Sequence, residues 1–307
     1  MTGSRGSVVC AAAALLSVIV LCQVSHVPEH HRGRFAGRGA EPSPRGCAVP
    51  EFSDEELDAV ELLTSKVRRA RRLTAAQVAA GAQYLGTIKV VFHVIYYTQG
   101  GQDIGKLTAQ QVQNQIDWLS DAYENLDFEL HSVTYTNNQS WYFMTPGSSA
   151  ETACKTALVV DSSRYLNIYS VDGVSNGLLG WATFPWDQAA QPNLDGVVIA
   201  QSTIPGNPPP YGEGDTAVHE VGHWCGLYHT FQGRCSPRND LVADTPAERT
   251  ATSGCPVGKD TCRQAGLDPI ENYMDYSYDS CMYRFSDGQY TRMSEQLQLY
   301  RPNALNP

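Results

Sequence analysis

The sequence predicts an α/β fold of the α+β kind, a mixed sheet with helices packed on it. Two observations carry this. Strand-like and helix-like stretches alternate from Gly86 to Ala200, which suggests a mixed sheet covered by helices. Past Phe231 the chain is rich in loops and holds four cysteines before one last helical stretch. With 307 residues, 42% of them hydrophobic, there is chain enough for a real core in one or two domains.

The elements follow in order. Arg5 precedes an apolar run from Val8 to Leu21, which suits a signal-peptide core and is short for a membrane span. Residues 1–25 are therefore expected to be a signal peptide, with an uncleaved anchor as the alternative. His26 to Pro50, rich in Gly, Pro, Arg and His, has no periodicity and reads as unstructured. Ser53 to Leu73 reads as a helix. Ser53 and Glu56 make a capping box, and Leu57, Val60, Leu63 and Val67 recur at helical spacing. The helix ends in Arg68-Arg69-Ala70-Arg71-Arg72, a cut site for a dibasic processing protease or for the protein itself. The alternative is a basic helix end favourable to the dipole. Residues 26–72 are expected to be a pro-segment and residues 73–307 the working domain.

From Thr87 to Thr98 the chain is dense in β-branched and aromatic residues, as a buried strand is. Thr108 opens a helix to about Glu124. Gln111 completes its capping box, and Val112, Ile116, Leu119 and Tyr123 line one face. Phe128–Tyr135 reads as a strand, Ala150–Val160 as a short helix, and Tyr165–Val171 and Val197–Ala200 as strands. The final helix is expected near Ser286–Tyr300. Asn138-Gln139-Ser140 is a glycosylation sequon on a surface loop.

The formal net charge is −10, and nothing resembles a basic stripe, so nucleic acid is excluded as a partner. A cut after Arg72 divides the charge. Residues 1–72 hold 10 basic and 8 acidic side chains, and residues 73–307 hold 12 and 24, for +2 and −12. No stretch beyond residue 25 approaches a membrane span, so no membrane partner is expected of the mature form. A monomer is expected.

The chemistry is concentrated in Asp215 to Phe231, D-T-A-V-H-E-V-G-H-W-C-G-L-Y-H-T-F. His219 and His223 stand four apart, on one face of a helix. Both rings can reach one zinc ion, and Glu220 projects near the same ion, where a general base takes a proton from a zinc-bound water. His229 would lie about 15 Å further along an unbroken helix. The helix must therefore break, and Gly226 is placed to break it. Three histidines leave the fourth position open, as a catalytic zinc site requires. The spacing H-E-x-x-H-x-x-G-x-x-H would arise by chance in about 2 of 100,000 chains of this composition.

That string is similar to the metzincin zinc endopeptidases. Their methionine turn is matched by Asn272-Tyr273-Met274-Asp275-Tyr276. More closely, the chain resembles the pappalysin family of metzincins, in its small secreted microbial and fungal members. The resemblance runs from about Thr216 to Met293, through H-E-V-G-H-W-C-G-L-Y-H-T-F-Q-G, V-A-D-T-P-A-E, G-C-P-V-G-K-D-T-C, D-P-I-E-N-Y-M-D-Y and D-S-C-M. It extends more weakly to L-G-W-A-T-F-P at Leu179 to Pro185 and to the first strand.

The resemblance implies a metzincin-type catalytic domain: a twisted mixed sheet, an active-site helix above the cleft, and a disulfide-stapled, loop-rich C-terminal subdomain. The upper subdomain would run to about residue 229 and the lower one over 230–307. It implies endopeptidase activity on protein or peptide substrates, Tyr276 as a stabiliser of the oxyanion, and Gly180–Phe184 as the edge strand that pairs with substrate. Small members of the family bind calcium in the region where Asp240, Asp244 and Thr245 cluster oxygen ligands here. A solvated acidic loop is the alternative. Asp279 falls where the S1′ wall would form, and a carboxylate there favours Arg or Lys after the scissile bond.

Nine cysteines cannot all pair. Loss of Cys10, Cys22 and Cys47 with the N-terminal segments leaves six, which read as three disulfides. The family resemblance implies Cys235–Cys262 and Cys255–Cys281, leaving Cys154 with Cys225. Cys225 as a plain buried thiol and a second structural zinc site are the alternatives. Arg45 to Glu51, around Cys47, resembles the cysteine-switch segments of metzincin proenzymes, in which a thiolate takes the open zinc position. The expectation is a secreted zinc endopeptidase made as a zymogen. Its rival is a secreted non-enzymatic protein with a structural zinc, for which Glu220 would have no use.

Overall fold

A computed structural model of the chain describes residues 46–71, 84–172 and 177–305. The signal segment, Cys10, Cys22, residues 26–45 and the junction after Arg72 lie outside the described residues. Helix α1 spans Asp54–Arg71, β1 Gly86–Gln99, β2 Gln102–Ile104, α2 Ala109–Ala122 and β3 Leu126–Asn137. There follow a one-turn helix α3 at Gln139–Tyr142, α4 at Ser149–Leu158, β4 at Leu166–Val171, β5 at Gly180–Ala182 and β6 at Val197–Ala200. Helix α5, at Asp215–Trp224, and helix α6, at Asp287–Tyr300, complete the set.

The capping pairs place the helix starts. Thr108 and Gln111 bond reciprocally at α2, as do Ser286 and Gln289 at α6, so each satisfies two amides the helix leaves open. At α1, Glu56 Oε2 accepts from Ser53 N at 2.8 Å. Strand β2 and helix α3 carry no expectation from sequence, because three or four residues are too short for a periodic signal.

The six strands form one mixed sheet in the order β2-β1-β4-β6-β5, with β3 also on β1. Strand β1 is parallel to β3 and β4, and β6 is parallel to β4. Strand β5 is antiparallel to β6 and ends the sheet. Alternate side chains enter opposite cores, as the two-residue period requires. Leu166, Ile168, Val197 and Ile199 join a large core with Val112, Ile116, Leu119 of α2, Val218 and Val221 of α5, and Met293 and Leu297 of α6. Tyr169, Val171, Val198 and Trp181 face the other way, towards Tyr142, Met144 and Cys154.

This division corrects the expected Cys154–Cys225 disulfide. Both cysteines are free and buried. Cys154 belongs to the core on one face of the sheet and Cys225 to the core on the other, so the sheet stands between them. Cys235 is bonded to Cys262 and Cys255 to Cys281. The loop-rich C-terminal half is thus stapled by two disulfides, which consume the four cysteines that a second zinc site would need.

The segment Gly46–Pro50 also departs from expectation. It is not loose, but lies along β5: Cys47 bridges Gly180 in parallel, Leu179 N donates to Gly46 O at 2.6 Å and Ala48 N to Gly180 O at 3.2 Å. A single extended strand added to a sheet edge draws its partners from main-chain groups, so its sequence need show no period. Helix α1 then packs against α6. Glu61 pairs with Arg292 at 3.0 Å, Asp58 with Arg238 at 2.7 Å, and Arg68 with Glu295. Charges of both signs make these contacts, so the net charge of the two parts is not what joins them.

Under the far end of α5, Asp195 and Arg301 form a two-pronged ion pair at 2.7 and 2.8 Å with both side chains fully buried. The Arg301 guanidinium lies 4.0 Å from the Trp224 ring centre and donates to Trp224 O. No described helix is long and apolar enough to cross a membrane.

Candidate active site

All ten residues of α5 are buried. The helix ends where Gly226 adopts φ 97°, a conformation that costs other residues dearly. Gly226 N donates to His223 O at 2.8 Å and Leu227 N to Gly222 O at 2.9 Å, the two bonds of a Schellman end. The chain then doubles back, and His229 comes to the two helical histidines. The Nε2 atoms of His219 and His223 are 3.2 Å apart, and those of His223 and His229 are 3.0 Å apart.

These rings are set up as metal ligands. His219 Nδ1 donates to Tyr273 O at 2.7 Å, and His223 Nδ1 to Leu227 O at 2.8 Å. A carbonyl can only accept, so each Nδ1 carries the proton. Burial holds His223 neutral, at about 4, and burial beside the His223 ring keeps His229 well below its usual value. The facing Nε2 atoms then offer only lone pairs, which repel at 3.2 Å unless a cation lies among them. Three imidazole nitrogens around an open position suit zinc.

Cys47 completes this cluster. Its Sγ and the ligand atoms of His219, His223 and His229 all lie within 4.8 Å of one another. The thiol donates to Glu220 Oε2 at 3.4 Å, and Tyr276 Oη donates to Cys47 O at 3.4 Å. Burial, with the Glu220 carboxylate beside it, pushes the free thiol well up. Tyr276 Oη also lies 3.3 Å from His229 Nε2. Glu220 sits beneath the edge strand, where a Cβ on Gly180 would come within 2.7 Å of its Cγ. Met274 packs under the site, its Sδ where a Cβ on Gly222 would stand, and Met274 O accepts from Thr230 N at 3.2 Å.

The remaining candidates lie apart from this cluster. Asp279 opens the 3-10 turn Asp279–Cys281 and is buried against the loop leading into α5: its Oδ2 accepts from Glu213 N at 2.9 Å and its own N donates to Pro210 O. Asp240 Oδ2, Thr245 Oγ1 and Asn239 Oδ1 are buried oxygens with no hydrogen-bond partner among the described residues, and burial pushes the Asp240 carboxyl up to about 8. Asp244 is turned to another task, accepting from Ser286 Oγ at 2.8 Å and Gly288 N at 2.9 Å at the start of α6. Asn239, absent from the expected set, sits there at φ 47°. Only its neighbourhood in sequence to Asp240 could have pointed to it.

The fold and the histidine cluster define a metallo-endopeptidase of the metzincin type. The chain belongs to the pappalysin family: residues 152–298 match the peptidase M43 model described as pregnancy-associated plasma protein-A. It is 41% identical over 260 residues to an extracellular metalloprotease of Pyricularia oryzae, covering 83% of this chain and 89% of the relative. It is 40% identical over 268 residues to one of Neurospora crassa, covering 85% and 90%. Among solved structures, mature mirolysin of Tannerella forsythia with a cleaved peptide aligns at TM-score 0.59 and 28% identity, over 72% of this chain and 98% of that one. A promirolysin mutant from the same organism aligns at TM-score 0.64 and 25% identity, over 86% and 100%.

Proposed function

We propose that the chain is the precursor of a secreted zinc endopeptidase, with one zinc ion held by His219, His223 and His229. The observation that carries this is the pair of committed Nδ1 protons, which leaves Nε2 lone pairs facing one another in a buried cluster. Zinc there supplies a Lewis acid for the scissile carbonyl and lowers the pKa of a water.

The chain's own residues do the rest. Glu220 accepts the proton of the attacking water and passes one to the departing amine. Tyr276 donates a hydrogen bond to the oxyanion as the carbonyl becomes tetrahedral. Strand β5, at the sheet edge, lines up an extended protein or peptide substrate by main-chain pairing. Met274 supports the helix below the ligands. Asp279, packed against the loop before α5, favours Arg or Lys after the scissile bond.

Residues 1–25 are the signal peptide, 26–72 the pro-segment and 73–307 the catalytic domain, divided near residue 229. The greater share of this chain matched by promirolysin than by the mature form supports the presence of a pro-segment. Cys47 keeps the precursor silent by filling the open ligand position. A calcium ion at Asp240, Thr245 and Asn239 would give partners to three stranded oxygens. Asp244 shapes that loop from the start of α6. The mature enzyme works as a monomer outside the cell, with no nucleic-acid or membrane partner.

The deciding experiment is azocasein hydrolysis by the processed protein, with and without a zinc chelator, repeated on Glu220→Ala. Chelator-sensitive activity is expected. The variant should keep its metal and lose roughly 10²–10⁴-fold in rate. A processed wild type with no chelator-sensitive activity would overturn the proposal.

A further inference from the structure

Phe52 is held in the precursor by groups that catalysis does not use. Its ring meets Phe184 and Tyr228 edge-on, at 5.3 Å each, and Trp186 at 6.5 Å. Phe184 and Trp186 stack on each other at 4.5 Å. The backbone of Phe52 is gripped by one side chain. Phe52 N donates to Gln232 Oε1 at 3.0 Å, and Gln232 Nε2 donates to Phe52 O at 2.6 Å. A primary amide bonded both ways to one residue imitates a strand partner. It recognises extended backbone and is indifferent to the side chain, which the aromatic box receives instead.

This box adjoins the metal centre, with the Phe184 ring 5.5 Å from the His223 ring. One stretch of chain therefore runs along the cleft with Cys47 among the histidines and Phe52 in the box. When the pro-segment leaves, the faces of Phe184, Trp186 and Tyr228 open to water. Gln232, 2% exposed in the precursor, loses both partners of its side-chain amide. An extended peptide with an apolar side chain restores both at once. A basic side chain does not suit the place, since the Arg292 guanidinium lies 4.9 Å from the Tyr228 ring centre and its partner Glu61 departs with the pro-segment.

We propose that the Phe184–Trp186–Tyr228 box with Gln232 is a substrate subsite of the mature enzyme. It takes an aromatic or large aliphatic residue and pairs with the backbone of that residue. The subsite lies before the scissile bond. Tyr228 and Gln232 follow the C-terminal end of α5, whereas Asp279 is bonded to Glu213 ahead of its N-terminal end, so the two subsites flank the metal on opposite sides. The assignment rests on the endopeptidase reading above.

The test is cleavage of a peptide library by the mature enzyme, followed by kcat/KM on matched octapeptides carrying Phe or Gly at the selected position. Wild type should prefer aromatic and large aliphatic residues at one position before the cut, with a Phe-to-Gly ratio of about tenfold or more. In Trp186→Ala that ratio should fall towards one, and in Trp186→Phe, which keeps a ring in the box, it should persist. The ratio is taken within each protein, so partial loss of folded enzyme cancels. A wild-type profile with no apolar preference before the cut overturns the subsite without needing any variant, and so does a ratio that survives Trp186→Ala. Hydrolysis of azocasein by the same wild-type sample separates failure of the subsite from failure of the catalytic reading.

Discussion

The Cys47 thiol and the Glu220 carboxylate lie 3.4 Å apart, although they stand 173 positions apart in the chain. The proposed base is thus covered by the precursor's own thiol, and the same segment is paired to the edge strand that would carry substrate.

Replacement of Cys47 by Ala in the unprocessed chain should release activity. Losing a contact worth about 1.4 kcal/mol raises the open fraction by ~tenfold, and a thiolate on zinc is worth at least that. Peptide hydrolysis by Cys47→Ala, with Arg71→Ala and Arg72→Ala added to hinder processing, is the measurement. No gain over a parent carrying only those two arginine changes would refute the switch.

Asp195→Ala should cost about 3–5 kcal/mol of stability, because it strands a fully buried Arg301 charge. The double variant Asp195→Leu with Arg301→Met should recover much of that loss. Urea unfolding of both, in a Glu220→Ala background that prevents self-digestion, reads the difference. Equal loss in the single and double variants would mean that the pair matters only for shape.

His93 should make the fold acid-sensitive. It is buried, stacks on Tyr169 at 4.6 Å, and bonds to Thr134 and Asn167. Burial lowers its pKa from 6.5 to about 4. The unfolded chain therefore binds a proton that the folded chain refuses as pH falls from 6.5 to 4. Stability is undiminished above 6.5, declines across that window and is fully reduced below 4, by about 3 kcal/mol. His93→Gln should lose that part of the slope. The check is the urea midpoint of each protein at pH 7 and pH 4.5; parallel slopes would count against it.

Calcium should raise the melting temperature of the zinc-loaded Glu220→Ala protein. At one hundred times the dissociation constant the gain is about 2.7 kcal/mol. Asp240→Asn should abolish the response, whereas Ser236→Ala, on the same loop, should leave it. An equal rise in Asp240→Asn would show that the ion binds elsewhere.

Most of the helices and the longer strands were legible because their signals are local. The Thr108 and Ser53 capping boxes, the apolar face of α2 and the β-branched run of β1 each lie within a dozen residues or so. Strand β2 and helix α3 escaped, being too short to show a period. Asn239 escaped because a stranded oxygen is a property of its surroundings. The aromatic box escaped because Phe52, Phe184, Trp186 and Tyr228 come from three distant stretches, none of which is periodic with another.

The sequence by itself determined the ligand motif and the place where its helix must break. Four-residue spacing sets two rings on one helical face, and ten residues of unbroken helix cannot bring back a third. Only the tertiary structure decided which cysteines meet. Alternate residues of a strand face opposite cores, so the sheet parts Cys154 from Cys225, while pairing along its edge delivers Cys47 to the histidines. Such contacts depend on how distant segments pack, and no spacing within one segment encodes them.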